Sequence, residues 1–381
     1  MKKNILKFFL VVVICNLQFA ICNFSFAQDV KTAGEIDAEN AAKNYQHGIE
    51  LMKKENYKGA IEALNDAVDL DSSKANYQFQ LALANYYSKN FETTIKITKG
   101  LMKKFSPDVR YYDLMGECYS EMRNDKKAQA ILLEGLKLFP SSGSIHSQLG
   151  KIEYDHKNIN TAIQYWELGI VAEPTFPSNY YYAAQAYGTT SEKIWAIIYG
   201  EIFVNLETNT GRTYEILFRM YDWYKQAIYI KTPKNKYAMF TDERTHISEA
   251  EFKDTMLFHK NFAMAYNNIA QRCMTEFKDK FTTENLIKFR SKFITLWYSK
   301  NFPIDFPNPI FDYQRTVISA DYFECYNYWL LSKGDPKIFN DWMEKNKKKY
   351  DQFMKWFMAH PLEISSSNTI TRTIMAAKLR P

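Results

Sequence analysis

From residue 41 onward, apolar residues recur at helical spacing, and short polar turns interrupt them at regular intervals. One stretch carries Tyr112, Met115, Gly116, Tyr119, Ala128 and Leu132; the next carries Leu149, Gly150, Ala162, Trp166 and Gly169. Steps of three and four place such residues on one helix face. The turns Glu55-Asn56-Tyr57, Lys89-Asn90-Phe91, Arg123-Asn124-Asp125 and Lys157-Asn158-Ile159 share one register. Asn at this place predicts a left-handed cap between two helices. The pattern therefore predicts helix–turn–helix pairs, repeated along the chain.

The period is 34 residues. Gly48, Ala82, Gly116 and Gly150 are separated by it, and so are Ala60, Thr94, Ala128 and Ala162. Small residues in both helices let the backbones approach closely, while Tyr119 and Trp166 fill the space beside them. Pro140 and Pro174 end the second helix of their units. Residues 41–74, 75–108, 109–142 and 143–176 align without gaps. A weaker fifth unit, 177–210, keeps Tyr180, Ala183, Ala184, Tyr187 and Ala196, as an end repeat that meets another domain should.

These residues closely resemble the tetratricopeptide repeat (TPR), with its large residue, Leu, Gly or Ala, Tyr, Ala, aromatic, Ala and Pro at fixed offsets. Two units depart from it: Asn44 stands where a large residue is usual, with Tyr45 beside it, and Thr94 and Thr98 replace Ala and an aromatic. The resemblance implies an all-α solenoid that binds other proteins rather than doing chemistry. Residues 195–206, with Tyr326 to Leu331, also resemble exported repeat proteins of unknown function from Bacteroidota, which implies no activity.

Beyond about Gly211 the 34-residue register is expected to end in a helical C-terminal domain, 211–360. Tyr214, Leu217, Phe218, Tyr221 and Tyr224 follow helical spacing. Thr232 to Asn235 reads as a turn, and Lys236 to Thr241 as a short strand. Ser248 with Glu251 forms a capping box for a helix running through Phe262, Tyr266 and Ile269. Another helix begins at Thr283, and Pro303, Pro307 and Pro309 mark a loop after it. Helices carrying Phe323 to Leu330, then Ile338 to Trp342, then Tyr350 to Phe357 follow. Residues 361–381, with Ser365-Ser366-Ser367, are expected to form a loosely ordered tail.

The chain opens with Lys2, Lys3 and Lys7, an apolar run from Phe8 to Ile14, and Ser25-Phe26-Ala27 before Gln28. This reads as a signal peptide, 1–27, followed by a linker, 28–40. Export to the periplasm or cell surface is the expectation. An uncleaved anchor and a lipid anchor at Cys22 are the alternatives. Removing residues 1–27 takes three lysines and no acid, leaving 46 basic against 43 acidic residues. So small an excess gives no reason to expect nucleic acid. No later segment is long enough and uncharged enough to span a membrane.

Three cysteines remain, too few and too odd for a disulfide framework. Cys118 reads as a small core residue. Cys273 and Cys325 could pair in an oxidising compartment, and sequence does not decide it.

No HExxH, CxxC, G-x-S-x-G, P-loop or dinucleotide motif occurs, so no catalytic, metal or cofactor site is expected. His246 and His259, near Glu249, sit 13 residues apart, which does not place both on one helix face. Asp341, Glu344 and Asp351 read as solvated faces. Lys345, Lys347, Lys348 and Lys349 read as a solvated helix end.

The binding surface expected is the groove lined by the first helices of the repeats. Its register gives Tyr45 and Ile49; Asn76, Phe79, Leu83 and Tyr87; Arg110, Asp113, Glu117 and Glu121; Ser144, Ser147, Lys151 and Asp155; Tyr181 and Gln185. TPR grooves that grip a C-terminal carboxylate use Lys and Asn where this chain has Tyr45 and Ile49, so that ligand is not expected. Asp113, Glu117 and Glu121 run along one face beside Phe79, Leu83 and Tyr87. A protein or peptide with apolar and basic groups is the matching partner. Two other classes remain: glycan binding through exposed Tyr and Trp, and an enzyme whose deep pocket of convergent carboxylates or His lies in the C-terminal half.

Overall fold

The computed structural model describes residues 32–242 and 261–377. The chain divides into two compact units, 1–118 and 119–381.

The first unit holds α1 (Ala33–Lys53), α2 (Tyr57–Leu70), α3 (Ala75–Tyr87), α4 (Phe91–Lys104) and the start of α5 (Val109–Glu121). Thr32 and Glu35 cap α1 reciprocally, so helix replaces most of the linker expected at 28–40. Small residues act as the spacing predicts. A Cβ on Gly48 would lie 2.6 Å from Leu64 Cγ, and Ala60 and Ala82 are fully buried. The two threonines of the second repeat satisfy their own hydroxyls. Thr94 Oγ1 donates to the Ala82 carbonyl at 3.2 Å, and Thr98 Oγ1 donates to the Thr94 carbonyl at 2.8 Å.

The second unit continues with α6 (Asp125–Leu138), α7 (Gly143–Asp155), α8 (Ile159–Ala172), α9 (Pro177–Gly188), α10 (Lys193–Leu206) and α11 (Gly211–Ala227). A hairpin follows, β1 (Ile228–Thr232) and β2 (Asn235–Ala238), paired antiparallel with Tyr229 opposite Tyr237. Then come α12 (Phe262–Cys273), α13 (Thr283–Ser299), α14 (Phe302–Asp305), α15 (Pro309–Ser319), α16 (Phe323–Leu331), α17 (Pro336–Ala359) and α18 (Arg372–Ala377).

The compact units do not divide at 210, where the sequence places a domain border. The reason lies in α10, every residue of which from Lys193 to Asn205 is buried. A helix covered on all sides belongs to the interior of a larger core, and here that core runs from Ala162 to Met375. The register also outlasts its expected end. First helices begin at 75, 109, 143, 177 and 211, and second helices at 57, 91, 125, 159 and 193. Thus α11 is the first helix of a sixth unit. Its second helix is replaced by the hairpin, where Ile228, Tyr229 and Ile230 favour strand and Pro233 occupies the turn.

The turns correct a second expectation. The left-handed residues are Glu55, Lys89, Arg123 and Lys157, with φ of 58°, 63°, 58° and 68°. The asparagine one position later is the N-cap of the next helix; Asn56 and Asn124 accept from the amides of Gly59 and Lys127. A side chain at left-handed φ costs about 1–2 kcal/mol, and a glycine there costs about 0.5–1 kcal/mol of chain entropy. Lys157→Gly is therefore expected to raise unfolding free energy by roughly 0.5–1 kcal/mol in denaturant titration. An unchanged or lower value would mean the lysine contributes more than its backbone costs.

Other differences are local. Pro303 and Pro309 sit in the first turns of α14 and α15 rather than in a loop. Residues 336–359 form one helix, so the lysine run lies in its middle, where Lys347 pairs with Asp351 and Lys349 with Asp321. The tail is not loose over the described residues: Leu362, Ile364, Ile370 and Met375 are buried on either side of the exposed serines. Cys118, Cys273 and Cys325 are buried and in no disulfide among the described residues. Burial pushes the thiols of Cys273 and Cys325 up to about 12 and about 11, as suits inert core residues. Among the described residues, no helix is long and apolar enough to cross a membrane. The leader 1–27, His246, His259, Glu249 and the Ser248–Glu251 box lie outside the described residues.

Candidate binding faces

In the first unit, side chains join neighbouring first helices into a row. Tyr45 of α1 stacks on Tyr77 of α3 at 4.6 Å, and its hydroxyl accepts from Asn76 Nδ2 at 2.6 Å. Farther along α3, Leu83 is half-buried. Tyr87 is 51% exposed and stacks on Tyr57 at 5.4 Å. The Arg110 guanidinium lies 4.6 Å from the Phe79 ring and bonds both oxygens of Asp108. That hydrogen-bonded carboxylate raises the Arg110 pKa, and the guanidinium lowers that of Asp108.

Phe79 itself is buried against Tyr111. It belongs to the core, because a ring at this position fills the gap between α3 and α5, and it offers a ligand nothing directly. Asp113 and Glu117 are half-buried and already engaged, so the acidic row is not three solvated carboxylates; of the three, Glu121 alone is exposed.

In the second unit, Lys151 and Asp155 of α7 are exposed, with the Lys151 ammonium 5.9 Å from the Tyr182 ring. Ser147 is buried, and its carbonyl accepts from Trp166 Nε1 at 3.2 Å. Tyr181 is buried as well. Its hydroxyl donates to Glu215 at 2.7 Å, and its ring packs under Arg212 at 5.0 Å. Burial and the Glu215 carboxylate push this phenol up to about 12. Arg212 also bonds Ser178 and Glu207. Ser178–Arg212 and Tyr181–Glu215 each join register-equivalent positions of α9 and α11, so Tyr181 is committed to α11 rather than to a ligand. A period followed one helix further along the sequence locates both pairs.

Two buried acids had no sequence signal. Glu201 of α10 accepts from Arg290 at 2.7 Å, Gln314 at 2.8 Å and Tyr326 at 2.9 Å. Arg290 also donates to Asn327 and Tyr224. Burial opposes the charge on Arg290, but Glu201 outweighs it and its pKa rises. Glu167 of α8 accepts from Tyr187 and Tyr199, each at 2.9 Å, and from the Thr373 hydroxyl at 2.6 Å. It borders a cleft of about 660 Å³ shared with Thr190, Glu192, Arg372 and Ala376. Both Glu167 oxygens are taken up by these donors, which suits anchoring α18 better than proton transfer.

Among the described residues, no three or more His, Cys, Asp or Glu side chains group closely enough to hold a metal. None of the tryptophans is exposed: Trp356 is half-buried and the other six are buried. The tryptophan part of a glycan platform is therefore lacking, and the exposed tyrosines among the described residues are Tyr87, Tyr214, Tyr229 and Tyr237.

The chain matches no model of a known protein family and no curated protein sequence. Among solved structures it is similar to PilF of Pseudomonas aeruginosa, at 19% identity over 50% of this chain and 85% of that one, TM-score 0.42. A TPR protein of Thermus thermophilus is 14% identical over 48% of this chain and 98% of that one, TM-score 0.40. YrrB, described as a TPR protein with an unusual peptide-binding site, is 13% identical over 46% of this chain and 91% of that one, TM-score 0.32. These neighbours are TPR proteins, and this chain is a helical repeat array.

Proposed function

We propose that this protein is a noncatalytic scaffold of the cell envelope that binds a protein or peptide along the first helices of its repeats. The observation that carries the reading is the row in the first unit, where Tyr45, Asn76, Leu83, Tyr87 and Arg110 present aromatic, amide, apolar and cationic groups on rigid helices. A face held in place by stacking and hydrogen bonds loses little entropy on binding, and Tyr and Arg are the side chains that dominate protein interfaces. Lys151 and Asp155 are the exposed counterparts in the second unit. The signal-like leader and the resemblance to exported Bacteroidota repeat proteins support the envelope location.

The test is an in-cell crosslinking pull-down of the full chain beside Tyr87→Ala. Tyr87 is 51% exposed, so the variant is expected to fold, losing no more than the roughly 0.5–1.5 kcal/mol of its stack on Tyr57. A partner enriched with wild type and depleted at least about tenfold with the variant supports the reading. Identical partners from both remove Tyr87 and its row from the binding surface.

A further inference from the structure

The hairpin presents a second surface. Successive side chains of a strand point to opposite faces, and directly opposed residues of a pair share one. Ile228, Ile230 and Ala238 therefore lie on one face, where Ile228 and Ala238 are buried and Ile230 is half-buried. Tyr229, Tyr237 and Met239 lie on the other and are 42%, 42% and 41% exposed. The two tyrosine rings stack at 4.9 Å. The Met239 amide donates to the Ala227 carbonyl at 2.8 Å and the Ala238 amide to Gln271 Oε1 at 3.0 Å, so α11 and α12 hold the hairpin in place. The charge around the outward face is almost all of one sign. From Lys225 to Thr241 the chain carries four lysines and no acid. Lys231 occupies the bulge between Ile230 and Thr232, Lys234 lies in the turn, and both are exposed. Lys236 Nζ donates to the Phe277 carbonyl, which brings residues 277–281 alongside. That stretch adds exposed Lys278 and Lys280 against one acid, Asp279. Of the other acids close in sequence, Asp222 accepts from Gln226 at 2.6 Å and Glu276 pairs with Lys292 at 2.9 Å. Asp242 follows Phe240 and Thr241, both buried.

We propose that this face of the hairpin rests on an anionic phospholipid bilayer. Tyrosine suits the headgroup level, where the ring meets apolar carbon and the hydroxyl stays wet. Met239 extends the apolar contact. The lysines beside the rings supply the attraction to lipid phosphate, which falls off within a Debye length and so needs them at the surface. A stacked pair on a two-stranded ribbon is a flat plate, which fits a bilayer surface better than it grips a peptide. A second copy of this chain would bring lysine against lysine, which disfavours self-association through this face. No residue of the row around Tyr87 takes part, so the two readings fail separately.

The experiment places the fluorescent amino acid dansylalanine at position 239 of the full chain and titrates the protein with vesicles. One set holds phosphatidylglycerol and phosphatidylcholine in equal parts, the other phosphatidylcholine alone. The emission should shift to the blue with the first set and stay in place with the second. Lys231→Ala combined with Lys234→Ala should move the midpoint to at least about tenfold more lipid. Both lysines are exposed, so the melting temperature of that variant should not change. Tyr229→Ser should raise the midpoint as well. The leader is common to every variant, so the differences between them report the hairpin. No shift, an equal shift with neutral vesicles, or a midpoint indifferent to the two lysines would each overturn the proposal. A like shift with soluble polyglutamate in place of vesicles would also overturn it and give the face to an acidic protein.

Discussion

Arg290→Ala is expected to lower unfolding free energy by about 3–5 kcal/mol. Arg290 is 2% exposed and Glu201 1% exposed. Removing the guanidinium leaves a carboxylate in the core with Gln314 and Tyr326 as its side-chain donors among the described residues. It also takes one donor from the Asn327 amide oxygen and one from the Tyr224 hydroxyl. An unpaired buried charge costs more than the pair contributes in the intact protein. The comparison that isolates this cause is Glu201→Gln with Arg290→Met, which removes both charges together. The double variant should recover part of the loss, and guanidinium unfolding curves of the variants read it directly. A loss below about 1 kcal/mol for Arg290→Ala would mean that water reaches Glu201.

Gly150→Ala is expected to cost roughly 1–3 kcal/mol, although alanine is the better helix former by about 1 kcal/mol. The added Cβ would sit 2.6 Å from Trp166 Cδ1 and closer still to its Nε1. Trp166 cannot swing aside. It is 1% exposed, stacked on Tyr182 at 5.5 Å, tilted against Tyr154 at 5.8 Å, and tied to the Ser147 carbonyl. If the clash with Trp166 is the cause, Trp166→Leu should absorb it, so the double variant should lose less than the two single losses summed. Gly100, an exposed glycine inside α4 with nothing near its Cβ position, is the control. Gly100→Ala should stabilise by roughly 0.5–1 kcal/mol. Additive losses at Gly150 and Trp166 would place the strain elsewhere.

The glycine and alanine spacing made the helical array legible, because close helix approach leaves few residue types open at those positions. Asparagine in the turns marked the right turns for the wrong geometry. Its strong N-capping preference and its tolerance of left-handed φ point to adjacent positions, and the chain uses the first. The register of α11 was obscured because Tyr214 and Phe218 are not small, and the element that follows α11 is a hairpin rather than a second helix. The Glu201–Arg290 cluster left no trace in the sequence. Its members lie 89 residues apart, and a lone Glu in an apolar helix gives no sign of its partner. Of the expected binding residues, Tyr87, Arg110, Lys151 and Asp155 face solvent, whereas Phe79 and Tyr181 are held inside. Helical periodicity fixes a face to within about one residue, and the edge of a face is where that error decides burial.

Whether the first helices of the repeats grip a protein partner is tested most directly by amide hydrogen exchange of the full chain, alone and with the partner recovered by crosslinking. A partner seated on the row should slow exchange in α1 and α3 more than in α2 and α4. Protection confined to residues 262–377, with α1 and α3 unchanged, would contradict it.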